Sequence, residues 1–296
     1  MGELKVLHRI YFGFDGKPDL YQEYLETWKE QFPEYRIMHW NAENLPMDLN
    51  EYVSIHTKEK DAVFLGDYFR WWVLREYGGI YLDADIEIVN GELFNQYIEE
   101  FEQSDNHALV GIDTDARYYT AHSMACKQNS ELANFMCTVY ENLGPLRHWR
   151  KTFCTAPQLL SLYFMEKGKR THELGKFTHC EAITDLAGVR IYPKAYFSPL
   201  CYYDTHTAGS SVFFLRDYNP NQTALCHHYG CSWHTEESAY FNKGQATLTQ
   251  RPMLKDYFIA TTQTEGSKPH KMQHILIKIW QFVLKIPHKI NTLLKS

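Results

Sequence analysis

The sequence has no Cys-x-x-Cys pair among its seven cysteines, at positions 126, 137, 154, 180, 201, 226 and 231. An odd count without paired spacing speaks against a disulfide framework and favours a reducing compartment. No run of about 18 apolar residues occurs, so no helix is expected to span a bilayer. The amino terminus, M-G-E-L-K-V-L-H-R-I, lacks the basic segment, apolar run and small-residue cleavage site of an export signal. Val6 stands where myristoylation needs Ser or Thr. Positive charge is scarce over most of the chain: the net charge is −6, but six lysines and no acid lie from Lys268 onward, leaving −12 on residues 1–267. A body of that sign does not bind a phosphate backbone, so no nucleic-acid partner is expected. A cytoplasmic protein is expected, and Asn221-Gln222-Thr223 is read as a chance sequon.

With 44% hydrophobic and 15% aromatic residues, the 296 residues can bury one large α/β domain. Two units are expected: a domain over 1–267 and a basic tail over 268–296. In the tail Lys271, Lys278 and Lys285 recur every seven residues around Ile275, Leu276, Ile279, Trp280, Phe282 and Val283. Such a helix suits an anionic membrane surface, giving peripheral attachment, or docks on the domain with its lysines outward.

In order, Val6 to Phe12 reads as a strand broken by Gly13, Gly16 and Pro18. Tyr11 at its end could stack on a flat ring, with Gly13 admitting a ligand to the backbone; both could equally be ordinary core and rim residues. Leu20 to Gln31 reads as a helix and Tyr35 to Trp40 as a second strand, the spacing of a mononucleotide-binding half. Asn41 follows, as a ligand contact or a turn residue. Lys58 to Tyr77 is expected as one helix, with Ala62, Leu65, Phe69, Trp72 and Val73 on one face. Asp67 and Arg70 share a face of it, to meet a ligand or each other. Gly78-Gly79 ends the helix, and Ile80 to Leu82 forms a buried strand. If extended geometry continues beyond it, Asp83 and Asp85 point to the same side. Two carboxylates that close repel unless one is protonated or a cation lies between them.

Glu92 to Phe101 and Glu131 to Asn142 read as helices, and Pro157 opens another. Ala108 to Asp115 reads as a strand followed by an acidic loop with a second D-x-D at Asp113 and Asp115. The stretch T-A-L-C-H-H-Y-G-C-S-W-H, Thr223 to His234, could form a loop over a metal and phosphates. A zinc site from Cys226, His228, Cys231 and His234 and a buried aromatic loop are the competing readings.

Asp83 does not begin a calcium loop, because Ile88 and Phe94 occupy the sixth and twelfth positions where Gly and Glu are needed. An aspartyl phosphohydrolase calls for Thr or Val where Glu87 sits, and a later acidic motif is missing. The blocks H-R-I-Y-F-G (His8 to Gly13), G-D-Y-F-R…E-Y-G-G-I-Y-L-D-A-D (Gly66 to Asp85) and H-H-Y-G-C-S-W (His227 to Trp233) resemble the family 32 glycosyltransferases, the group with the DXD sugar-binding region. More distantly they resemble the glucosyltransferase domains of large clostridial toxins. The resemblance implies a GT-A glycosyltransferase fold, a Rossmann-like nucleotide-sugar half plus an acceptor half, and retention of anomeric configuration. It implies that Tyr11 stacks on uracil, where the family more often has Trp, and that Gly13 approaches the nucleotide. Asp67 and Arg70 would hold the ribose and the donor sugar or phosphate. Asp85 would ligate Mn²⁺ or Mg²⁺, Asp83 would support metal or sugar, and His228 would be the third metal contact, with His227 the alternative. Ser232 and Trp233 would close over the diphosphate. The implied partners are a UDP-sugar donor and a glycan or lipid-linked glycan acceptor, with a protein acceptor or a non-catalytic sugar-nucleotide binder as alternatives.

Overall fold

The computed structural model describes residues 4–112, 119–143, 156–167, 172–173, 176–177, 181–204, 211–215, 217–229 and 253–254. Asp113, Asp115, Cys231, Ser232, Trp233, His234 and the basic segment 268–296 lie outside them.

Runs of β-favouring residues separated by amphipathic stretches fold into strands β1 (Val6–Ile10), β2 (Arg36–Trp40), β3 (Gly79–Leu82), β4 (Ile86–Ile88), β5 (Ala108–Ile112) and β6 (Tyr119–Cys126). Between and after them come helices α1 (Gln22–Gln31), α2 (Glu51–Lys58), α3 (Ala62–Tyr77), α4 (Gly91–Glu102), α5 (Glu131–Leu143) and α6 (Ala156–Glu166). Short strands β7 (His172–Glu173), β8 (Lys176–Phe177), β9 (Thr184–Leu186) and β10 (Val189–Tyr192) follow, then helix α7 (Lys194–Phe197) and strands β11 (Leu200–Asp204), β12 (Ser211–Leu215) and β13 (Leu225–His227). The α/β class expected from the sequence is observed.

The main sheet has seven strands in the order β2-β1-β3-β6-β5-β10-β9. β1 pairs in parallel with β2 and β3, and β5 with β10, whereas β6 and β9 run against their neighbours. Five strands therefore share one direction, and both faces of the sheet must be covered. Period-two alternation divides the core accordingly. Leu7, Ile80, Leu82 and Leu109 pack with Leu25, Trp28, Phe94 and Ile98 of α1 and α4. Tyr81, Val110, Ile112 and Met124 face the other way, into Leu65, Phe69, Met136 and Leu160 of α3, α5 and α6.

Two local departures from the sequence expectation matter for the site. The helix expected over 58–77 is two helices. Lys60 takes a left-handed φ of 53°, ending α2 and letting α3 restart at Ala62. Beyond Leu82 the extended geometry does not continue: the Ile86 N–H donates to the Asp83 carbonyl at 3.1 Å, so residues 83–86 form a turn before β4.

Gly78 and Gly79 do more than end α3. A Cβ on Gly79, whose φ is 95°, would lie 2.8 Å from the Val6 carbonyl oxygen, so only glycine lets β3 start beside β1. His8 locks the same junction. The Trp40 indole donates to His8 Nδ1 at 3.0 Å, which leaves Nε2 to donate to the Gly78 carbonyl at 2.8 Å. This arrangement needs a neutral ring, and burial lowers the His8 pKa from 6.5 to about 4. The unfolded chain therefore takes up this proton first, and the stability present above pH 6.5 is lost as pH falls from 6.5 toward about 4. A shift of this size corresponds to roughly 3 kcal/mol. Urea titrations across that window should show the midpoint falling with acidification, and a His8→Gln variant should be less stable at neutral pH but fall less steeply. An unchanged slope in the variant would remove His8 from the account.

Candidate functional site

The C-terminal ends of β1, β2 and β3 coincide, because β1 is in parallel register with both neighbours. In open α/β sheets ligands bind at this edge. Tyr11, Asn41 and Asp83 each follow one of these strands.

Asp83 is held from two sides. The Tyr81 hydroxyl donates to its Oδ1 at 2.6 Å, and Arg70 Nη1 lies 3.6 Å from the same oxygen. Arg70 also pairs with Asp67 at 2.9 Å and donates to the Gly66 carbonyl at 3.2 Å and the Ala121 carbonyl at 2.6 Å. The expected Asp67 and Arg70 pair is thus formed, but inside the protein and not as a loose surface bridge. Three of the five guanidinium N–H groups are engaged by these partners, which leaves two among the described residues. Burial opposes the Arg70 charge, yet Asp83, Tyr81 and Asp67 together hold its pKa above the ordinary value. Burial raises the Asp67 carboxyl to about 6, against the pull of Arg70.

Asp85 is presented by the turn to a different partner. β13 pairs antiparallel with β4, setting Cys226 against Glu87 and His227 against Ile86, and the His228 N–H donates to the Asp85 carbonyl at 3.1 Å. His227 Nε2 comes within 3.4 Å of Asp85 Oδ2. One ligating atom from each of Asp83, Asp85 and His227 falls within 4.8 Å of the others. The His122 ring stacks on His227 at 4.2 Å and the Tyr229 ring meets it, tilted, at 4.2 Å; among the described residues its Nδ1 has no hydrogen-bond partner. Burial works against protonating His227, but Asp85 outweighs it and raises the pKa. His122 is the opposite case. Burial, reinforced by His227, lowers its pKa well below the usual value, and its ring nitrogens meet Ser123 Oγ and Ser198 Oγ at 2.8 Å each.

His228, expected as the third metal contact, pairs with Glu87, whereas His227, the alternative, is the histidine grouped with Asp83 and Asp85. Successive residues of a strand point to opposite sides, so His228 turns from Asp85 toward Glu87. His228 Nε2 and the Leu254 N–H both donate to Glu87 Oε2, at 2.8 and 2.7 Å. Tyr24 of α1 stacks on the His228 ring at 4.4 Å, nearly parallel. Burial lowers the His228 pKa, with Glu87 opposing. Cys226 joins Glu87 and His228 within the same 4.8 Å, but Glu87 and His228 already satisfy each other by hydrogen bonding. Cys231 and His234 of the alternative zinc reading lie outside the described residues.

Helix α1 braces β4 as well. Trp28 Nε1 donates to the Ile86 carbonyl at 2.7 Å and the Ile88 N–H donates to Thr27 Oγ1 at 3.0 Å. The strand that follows the aspartates is thereby fixed from one side by α1 and from the other by β13.

Of the remaining expected residues, Tyr11 is half-buried, donates its hydroxyl to the Pro18 carbonyl at 2.7 Å and has the Arg9 guanidinium 5.6 Å from its ring centre. Gly13 is needed by its own loop, where a Cβ would lie 2.9 Å from the Lys17 carbonyl oxygen. Asn41 is a turn residue, its side chain accepting the Glu43 N–H at 2.8 Å. His122, Tyr81 and Glu87 are site-forming residues that the motifs did not single out. Only the alternation of Tyr81 with Asp83 in an extended run was legible as a shared side.

Because Glu87 is buried and receives two hydrogen bonds, Glu87→Ala should lower stability by roughly 3 kcal/mol. Glu87→Gln, which can still accept the Leu254 N–H, should lose less. Urea unfolding reads both, and an alanine variant as stable as the parent would contradict the fastening role.

No curated protein matches the sequence significantly. Among solved structures, galactosyltransferase LgtC in complex with donor and acceptor sugar analogs is 12% identical, with 83% of this chain and 97% of that chain covered and a TM-score of 0.41. A glycosyltransferase involved in the glycosylation of the major capsid of PBCV-1 is 11% identical, with 76% and 93% covered and a TM-score of 0.41. The PaToxG glycosyltransferase is 15% identical, with 55% and 68% covered and a TM-score of 0.35. The family model for the glycosyltransferase sugar-binding region containing a DXD motif matches residues 18–103, a span that includes Asp67, Arg70, Asp83 and Asp85 but neither Tyr11 nor His227. Over those residues the chain is similar to the sugar-binding region of DXD-containing glycosyltransferases.

Proposed function

We propose that the chain is a retaining, cation-dependent glycosyltransferase of the GT-A type that moves a sugar from a UDP-sugar to a glycan or lipid-linked glycan. The observation that carries this reading is the convergence of Asp83, Asp85 and His227 within 4.8 Å, with Arg70 behind Asp83. Arg70 pairs with Asp67 and Asp83 but not with Asp85, whose partner is His227, so the balance is negative and favours a cation. The donor set fits a divalent ion: two carboxylates, plus an imidazole whose Nδ1 is buried without a partner among the described residues. A nitrogen ligand suits Mn²⁺ better than Mg²⁺, which prefers oxygen and water.

In this reading Asp85 and His227 hold the cation, and Asp83 contributes an oxygen whose direction is set by Tyr81 and Arg70. When bound, the cation neutralises charge gathering on the departing nucleoside diphosphate. Arg70 directs its two remaining N–H groups at the donor, and Asp67 keeps the guanidinium in place. Tyr11 offers its ring to the base at the end of β1, beside the loop that Gly13 allows. Ser232 and Trp233, beyond the described residues, are assigned to closing over the diphosphate. His122 and Tyr229 hold the His227 ring in plane and exclude water from one side of the site. No protein nucleophile is assigned.

A panel of nucleotide-sugars with Mn²⁺ tests the reading. Nucleoside diphosphate should be released from a UDP-sugar, and Asp85→Asn should reduce turnover by about 10²-fold or more. His227→Ala should raise the Mn²⁺ concentration for half-maximal rate roughly 10- to 100-fold. His228→Gln should leave that concentration unchanged. Full turnover in excess chelator, or an unaffected Asp85→Asn variant, would overturn the assignment.

A further inference from the structure

A second cluster of ligating side chains, sharing no residue with the site described above, sits at the elbow between α2 and α3. His56, in the last turn of α2, is fully buried. Its ring lies between Tyr52, at 4.4 Å, and Phe64, at 5.1 Å and nearly parallel. Both ring nitrogens are buried with no hydrogen-bond partner among the described residues, an arrangement that folded proteins rarely tolerate without an unseen ligand, ion or water. Nδ1 is aimed at two carboxylates, Glu59 Oε2 at 3.8 Å and Asp61 Oδ2 at 3.7 Å.

Those separations are too long for hydrogen bonds but close to what a shared ion requires. Two ligands about 2.0–2.2 Å from a zinc ion at a tetrahedral angle lie roughly 3.3–3.6 Å apart. The two histidine–carboxylate separations, 3.8 and 3.7 Å, exceed that by only a few tenths of an ångström, and the three ligating atoms, one from each residue, all fall within 4.8 Å of one another. The backbone presents the acids for the purpose. Lys60, in the left-handed region between them, reverses the chain so that Glu59 and Asp61 flank the same imidazole. Asp61 occupies the N-cap position of α3, where an aspartate normally accepts a backbone N–H. Its carboxylate makes no cap hydrogen bond, whereas Asn50 and Asn90 cap α2 and α4 in the usual way. Asp61 Oδ2 lies 3.7 Å from His56 Nδ1.

We infer that His56, Glu59 and Asp61 form a divalent transition-metal site, with one imidazole nitrogen and two carboxylates suited to Zn²⁺ and a fourth position open to water. Glu59 is half exposed, which gives the ion a path from solvent. The bound ion ties the end of α2 to the start of α3, the helix that carries Asp67 and Arg70. Through the neighbouring Lys60 and its ion pair with Asp15, it also braces the loop after β1.

The test is calorimetric titration of the full chain carrying Asp85→Asn, which silences the catalytic aspartates, with Zn²⁺ alone as probe. One equivalent should bind, and adding Glu59→Gln or Asp61→Asn should each weaken that binding at least about tenfold. Both substitutions keep side-chain shape, and Asn remains an acceptable N-cap, so circular dichroism should be unchanged. Zn²⁺ should also raise the melting temperature of the Asp85→Asn protein, and much less so with Glu59→Gln present. No Zn²⁺ uptake, or uptake indifferent to both substitutions, would overturn the inference; the latter would place the ion elsewhere.

Discussion

Residues 86–88 and 225–227 lie far apart in the chain and become one structure only through the antiparallel pairing of β4 with β13. On that pairing the candidate site depends. It carries His227 to Asp85 on one side and His228 to Glu87 on the other, so one short ladder serves both chemistry and fastening. Glu87 closes the fastening by accepting from His228 and from Leu254, 167 residues away in sequence. Helix α1 reinforces the same strand through Trp28 and Thr27. The turn at residues 83–86 is therefore held at both ends, and Asp83 and Asp85 are presented at fixed spacing.

Charge explains why the site is built around Arg70. Like charges about 4 Å apart at an effective dielectric of 20 repel by about 4 kcal/mol, so three carboxylates in one place cannot all stay ionised unaided. Arg70 compensates Asp67 at 2.9 Å and reaches Asp83 at 3.6 Å. Asp85 is left to His227, whose pKa it raises. The pressure on Asp67 shows in its carboxyl, pushed by burial up to about 6 even beside the arginine. In the proposed function, a divalent ion between Asp83, Asp85 and His227 would relieve what Arg70 leaves uncompensated.

Much of the parallel half was legible because its signals are local. The apolar period of α3, the Gly78-Gly79 stop and the β-favouring runs of β1 and β3 are short-range patterns. What escaped was set at long range or by unusual backbone. Lys60 breaks the helix expected over 58–77 without a glycine or proline to announce it, since a non-glycine left-handed residue leaves no mark in composition. Asp83 and Asp85 converge as expected, yet through a turn and not through continued extension. The choice between His227 and His228 is a question of strand parity. Which ring lies beside Asp85 follows only once Cys226 is known to oppose Glu87, and adjacent histidines carry no such information. Glu87 itself entered the sequence reading as a mismatch to another enzyme class, because a buried acid's partner cannot be seen from its own neighbourhood. Asn41 resolved to the plainer of its readings, a turn residue bonded to Glu43.

The central claim is that the cation belongs to Asp85 and His227 and not to Glu87 and His228. Anomalous diffraction at the manganese edge, from crystals grown with Mn²⁺ and a UDP-sugar, locates the ion directly. The account places the manganese peak among Asp83, Asp85 and His227, with the Glu87 and His228 hydrogen bond intact. A peak on Glu87 and His228, or none near Asp85 with the donor bound, would contradict it.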